Sequence, residues 1–180
     1  MKKILVLAAV LLLGASVAFA QSTPFGTNEA TTLSVNVGAE ASISVLTTTP
    51  LNTPSTIFAD YTGTTSFLYK VRTGGTVSGT GITLQITADF NPANGPSVAT
   101  SGATGDTLKY TCTATAASAT ACAGSQTSST TAATSVATFG TGVHSSKAGD
   151  SGSVIWDLVN DPAYAVGAYT ATATFTISAT

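Results

Sequence analysis

The stretch YTATATFTISAT, Tyr169 to Thr180, decides the fold. Tyr169, Ala171, Ala173, Phe175, Ile177 and Ala179 fall on one parity, and Thr170, Thr172, Thr174, Thr176, Ser178 and Thr180 on the other. Successive side chains of a strand point to opposite faces, so this alternation predicts a strand with one apolar face and one hydroxyl face. Threonine is β-branched and suits a half-exposed pleated surface.

The same period of two recurs upstream. Leu33, Val35, Val37, Ala39, Ala41, Ile43 and Val45 alternate with polar or small residues. At about 3.3 Å per residue this run would reach roughly 40 Å, whereas ordinary strands hold about 5–6 residues. The reading is two strands joined near Gly38, or one strand serving two partners. Leu46 to Thr56 is a turn region, because Pro50 and Pro54 cannot donate to a ladder. Ile57-Phe58-Ala59 reads as a short strand.

Further strands follow at short intervals. Ser66 to Arg72 sets Phe67, Tyr69 and Val71 against Lys70 and Arg72; Ile82, Leu84, Ile86, Ala88 and Phe90 alternate next. Leu108, Tyr110 and Cys112 share a face, Ser135 to Gly140 forms another short strand, and Val154, Trp156 and Leu158 another face. Residues 113–135, rich in Ala, Ser and Thr, read as a loop. No segment of the mature chain carries a helical period. Short strands separated by Gly/Pro turns predict an all-β fold, an antiparallel β-sandwich of about 7–9 strands.

Lys2 and Lys3, the apolar run Ile4 to Leu13, and Ala18-Phe19-Ala20 have the layout of a secretory signal, predicting cleavage after Ala20. Of 180 residues, 160 then remain, from Gln21 onward, as a single sandwich domain over residues 21–180. The expected location is exported: periplasm, cell surface or extracellular medium. No later stretch is long and apolar enough for a membrane helix. Lys2 and Lys3 leave with the signal, so four basic and eight acidic residues give a net charge of −4. Lys70, Arg72, Lys109 and Lys147 are too few and too scattered to neutralise a phosphate backbone, which argues against a nucleic-acid partner. Charged residues make up 8% of the chain and hydrophobic ones 43%, the reverse of a disordered composition.

Two cysteines in an exported chain, Cys112 and Cys122, predict a disulfide. A zinc site would need further ligands, and no His or Cys lies nearby to supply them. No cofactor is expected.

Gly149-Asp150-Ser151-Gly152 resembles the sequence around the nucleophile of chymotrypsin-like serine proteases. That chemistry needs a base and an orienting acid. The only histidine, His144, lies seven residues before the serine instead of far upstream, so the motif reads as a turn and no catalytic residue is assigned. The acids are dispersed, often beside Gly, Asn or Pro as Asp106, Asp150 and Asp161 are, and read mostly as turn residues, and Trp156 reads as core. The T-x-T rank resembles an ice-binding face, but it is a single rank without a coil repeat. Trp156-Asp157-Leu158 matches the W-x-L of Gram-positive wall-binding domains only in that triplet.

The ending Gly167-x-Tyr169-Thr170 with its alternation, and the opening that leads to Ala41-Ser42-Ile43-Ser44-Val45, are similar to spore coat protein U-like subunits, which belong with the archaic chaperone–usher pilins. The N-terminal strand here has no cysteine, which many of those subunits carry. The resemblance implies an Ig-like sandwich lacking one strand, completed by the N-terminal strand of a neighbouring copy. It also implies a periplasmic chaperone and an usher as partners. Leu33, Val35 and Val37 would be the donated residues, with Gly38 as the junction. The expected function is a non-enzymatic structural or adhesive surface subunit. The alternative is a self-contained secreted binding module, for carbohydrate or another surface ligand.

Overall fold

A computed structural model describes residues 31–54, 56–75, 79–90, 95–98 and 108–179. The expected signal, residues 1–20, lies outside them. The described residues from Val37 onward belong to one compact unit, and residues 31–36 lie outside it.

The described residues of this unit form nine strands: β1 (Glu40–Val45), β2 (Tyr61–Arg72), β3 (Gly81–Ala88), β4 (Lys109–Ala114), β5 (Ala119–Ala121), β6 (Gln126–Thr127), β7 (Thr134–Phe139), β8 (Asp150–Leu158) and β9 (Thr172–Ser178). They form two sheets, ordered β1-β2-β8-β4-β6 and β5-β7-β3-β9, and every strand pair is antiparallel. The fold is an all-β sandwich, as the alternation predicts.

The core follows from the same period of two. Phe67, Tyr69 and Val71 of β2, Val154, Trp156 and Leu158 of β8, and Tyr110 of β4 point inward from one sheet. They meet Ile82, Leu84 and Ile86 of β3, and Val136 and Phe139 of β7. Aromatic rings bind the layers at tilted angles, with Tyr69 to Phe139 at 5.6 Å and Phe67 to Phe175 of β9 at 5.8 Å between centroids. Two buried hydroxyls are paired: Trp156 Nε1 donates to Thr65 Oγ1 at 2.8 Å, and Tyr110 donates to the Ser135 carbonyl at 2.9 Å.

Four readings of the sequence are corrected. Residues 56–58 form a turn instead of a strand, with Phe58 in the left-handed region at φ 56°. The stretch 113–135 holds β5 and β6 instead of one loop. Asp150, Ser151 and Gly152 already belong to β8 instead of a turn before it. In the long alternation from Leu33 to Val45, only Glu40–Val45 is a strand; residues 31–39 have no strand pairing.

The reason for Gly152 is packing. It lies opposite Phe67 in the β2–β8 register, and a Cβ there would come within 2.5 Å of the Phe67 ring. The glycine leaves room for the ring against the neighbouring strand.

Cys112 and Cys122 are bonded, with their Cα atoms 5.4 Å apart. Cys112 is in β4 of the first sheet, and Cys122 follows β5 of the second, its amide bonded to the Val136 carbonyl. The bond therefore staples the two sheets together at one edge of the sandwich. Closing a loop of ten-residue separation stabilises by about 2–3 kcal/mol on the chain-entropy model. Replacing both cysteines by serine is expected to lower the unfolding free energy by about that amount, measured by urea titration of Trp156 fluorescence; an unchanged midpoint would contradict the assignment.

Candidate functional site

The edge opposite the disulfide is built differently. β1 and β9 are the outer strands of their sheets there and face one another across the sandwich. β1 pairs with Phe67 to Arg72, which is only half of β2. Beyond Val45 the chain swings away through Thr47 and Thr48, then returns to bond Asn52 to Thr62 in both directions at 2.9 Å. Pro50 and Pro54 flank that contact and prevent a continuous ladder. Gly63 permits the return, because a Cβ there would meet the Pro50 carbonyl at 2.5 Å and the Leu51 side chain at 2.8 Å.

The result is a cleft of about 860 Å³ between the sheets. Trp156, Leu158, Ile86 and Leu108 form its floor; Val45, Thr49 and Leu51 form one wall. Ala171, Ala173 and Phe175 form the other, with Tyr164 and Tyr169 from the preceding loop. The inward faces of both edge strands are only partly covered: Ala41 and Ile43 of β1 and Ala173, Phe175 and Ile177 of β9 are half-buried, and Val45 is exposed. Their parity matches that of fully buried residues elsewhere, so these side chains have the orientation of core without the cover of core. Among the described residues, β9 is paired on one side only, with β3.

The candidate residues Leu33, Val35 and Val37 are 91%, 85% and 58% exposed. Gly38, the predicted junction, is tied to the end of β2: its carbonyl accepts from Arg72 Nε at 2.7 Å, and Arg72 also pairs with Glu40 at 2.9 Å. The candidate disulfide residues are joined as described.

The Gly-Asp-Ser-Gly motif lies at the other end of β8. The Ser151 hydroxyl bonds Thr115 at 2.7 Å. Asp150 accepts from Ser118 Oγ at 2.5 Å and from the Ser146 amide at 3.1 Å, and Ser118 in turn bonds the Tyr69 hydroxyl at 2.9 Å. The motif thus joins a structural network instead of presenting its serine to a base. Among the described residues, no group of three His, Cys, Asp or Glu side chains is placed to hold a metal ion.

Sequence reasoning missed the cleft. Thr49, Leu51 and Tyr164, which line it, stand in stretches without periodicity. The available signal was the mismatch between long alternation and paired proline breaks. No protein-family model, curated protein sequence or solved structure matches this chain.

The Ser118 hydrogen bond holds the Asp150 carboxyl below its usual range; burial opposes this, and Ser146 and nearby His144 reinforce it. A depressed folded value stabilises above the unfolded pKa of about 3.9 and is lost as pH falls through the folded one. The stability difference between the protein and Ser118→Ala is therefore expected to shrink from about pH 5 downward in chemical denaturation. A constant difference would mean that Ser118 acts only through Tyr69.

Proposed function

We propose that the protein is an exported, non-enzymatic structural or adhesive surface subunit that assembles by β-strand donation. In this reading the segment carrying Leu33, Val35 and Val37 enters the cleft of another copy and lies beside β9. The observation that carries the reading is the partly covered core-facing surface between two edge strands, each paired on one side only among the described residues.

The dimensions fit. Leu33, Val35 and Val37 put three apolar side chains on one face of an extended strand over roughly 13 Å. Ala171, Ala173 and Phe175 repeat the same spacing along the cleft wall. Ala171 and Ala173 are small residues of that wall, which suits the approach of a neighbouring strand. The resemblance to spore coat protein U-like and archaic chaperone–usher subunits supports the same arrangement, with an Ig-like topology. A periplasmic chaperone and an usher are then the partners expected to cover and exchange the cleft, since an open sheet edge is an aggregation hazard.

The energetics require more than side chains. Burying a leucine and two valines contributes on the order of 5–8 kcal/mol. Ordering five residues costs on the order of 5–10 kcal/mol. The two nearly cancel, so net association depends on hydrogen bonds along β9, each contributing about 0.5–1.5 kcal/mol, and on contacts outside the strand.

A self-contained binding module is the second reading. It is favoured by the aromatic rim of the cleft, where Phe58, Tyr61, Tyr164 and Tyr169 stand, and by a volume within the range of about 300–1,000 Å³ common for ligand pockets.

Val35→Asp separates the two. A charge placed in an apolar cleft without a partner costs several kcal/mol. The variant is expected to fold, with normal circular dichroism, yet to remain monomeric in light scattering under conditions where the unaltered protein assembles. Ile43→Asp, within β1 itself, is expected to unfold the protein. Assembly that persists in Val35→Asp would favour the module.

A further inference from the structure

Charge is scarce in this protein, and its placement is polar. β2 runs the length of its sheet, roughly 36 Å for its twelve residues. At the end where β2 finishes, Lys70, Arg72 and Lys147 surround a shallow surface cavity of about 460 Å³ together with His144 and Glu40. Asp150 lies beside it, so the formal balance of that end is +1. At the end where β2 begins stand Asp60, Asp89, Asp157 and Asp161, against Lys109 alone, for a balance of −3 among the described residues. Asp60 accepts from the Asn160 amide, and Asp157 lies between Thr62 and Lys109 in the register, which fixes both at that end. Three of the four cations outside the signal thus occupy one end, and four of the six described acids the other.

The same axis orders the two halves of the donation reading. Gly38, through which the N-terminal segment joins β1, is bonded to Arg72 at the cationic end. The cleft opens at the acidic end, where Asp161 lines it and Phe58 and Val166 project from its rim with high exposure. A donor that leaves one copy at its cationic end and enters a second copy at its acidic end brings opposite charges together.

We propose that copies of this chain dock end to end, the cationic end of one on the acidic, apolar-rimmed mouth of the next copy's cleft. The inference rests on the strand-donation reading and adds to it the partner surface and its polarity. Apolar Phe58 and Val166 sit toward the centre of the contact and the charges around its rim, the usual layout of an interface. Rim charges chiefly govern the rate of encounter and the choice of orientation. They reject head-to-head contacts, which would set like charges together.

The test uses protein purified after export, with folding checked by circular dichroism. Assembly is followed by light scattering at about 0.01 M and about 1 M salt, where the screening length is about 30 Å and about 3 Å. Lys70→Glu with Lys147→Glu is expected to slow assembly about tenfold or more at low salt, and little at high salt. Adding Asp60→Lys and Asp161→Lys to the same chain swaps both ends and is expected to restore the rate. Equal rates for the unaltered and the doubly reversed protein at low salt would overturn the docking proposal; strand donation would survive if Val35→Asp still blocked assembly. Failure of the fourfold variant to recover, while folded, would also overturn the docking. A protein that stays monomeric at every salt concentration would remove both.

Discussion

β2 is twelve residues long, and its outer neighbour β1 is six. The rest of the structure depends on that mismatch. A sheet edge that is only half paired cannot carry a closed layer of side chains beneath it. The chain between Val45 and Asn52 spans the gap as an irregular wall, admitted by the missing side chain of Gly63 and kept irregular by Pro50. Trp156 then forms a floor instead of a ceiling: it is 5% exposed, bonded to Thr65, and faces a cleft. The far edge has the opposite character, because the Cys112–Cys122 bond fixes β4 of one sheet to the end of β5 in the other. The sandwich is closed at one edge and open at the other.

Hydroxyls do on the surface what charges do in most domains. Thr113 bonds Ser153 at 2.6 Å, Thr115 bonds Ser151 at 2.7 Å, and Thr87 bonds Thr174 at 2.9 Å, each across a strand pair or at its end. Such pairs add modestly to sheet stability and leave the outer faces polar without charge. The few ionised side chains are then free to matter by position. With opposite signs gathered near opposite ends of β2, the sandwich has a direction, and that direction runs from Gly38, bonded to Arg72, toward the end where Asp161 lines the cleft. In the proposed assembly, an interface along this line would combine a buried strand with a charged rim, so that its stability and its orientation would have separate physical origins.

Phe58 marks the cost of this arrangement. A bulky residue in the left-handed region carries strain of on the order of 1–2 kcal/mol. It is held there beside the cleft mouth with its ring exposed. The sequence gives no hint of it, because Ile57-Phe58-Ala59 has the composition of a strand. The turn wins because the chain must reverse between Asn52 and Tyr61 to pair with itself at Thr62.

By itself, the sequence determined the layers. The alternation in Tyr169–Thr180, in Phe67–Val71 and in Val154–Leu158 assigns each side chain to an inner or outer face, because the period of a strand is a local property of the backbone. The cysteine pair was legible for the same kind of reason, through separation and compartment. Only the tertiary structure decided which inward-facing residues are covered. Ile82 and Ile177 share one pattern and stand opposite one another in the register, yet the first is fully buried and the second is not. Burial depends on how many strands lie on either side, and strand order is set by contacts between distant segments. For that reason the long run from Leu33 to Val45 reads as uniform, while the fold divides it near Gly38 into a paired strand and an exposed one-sided apolar segment.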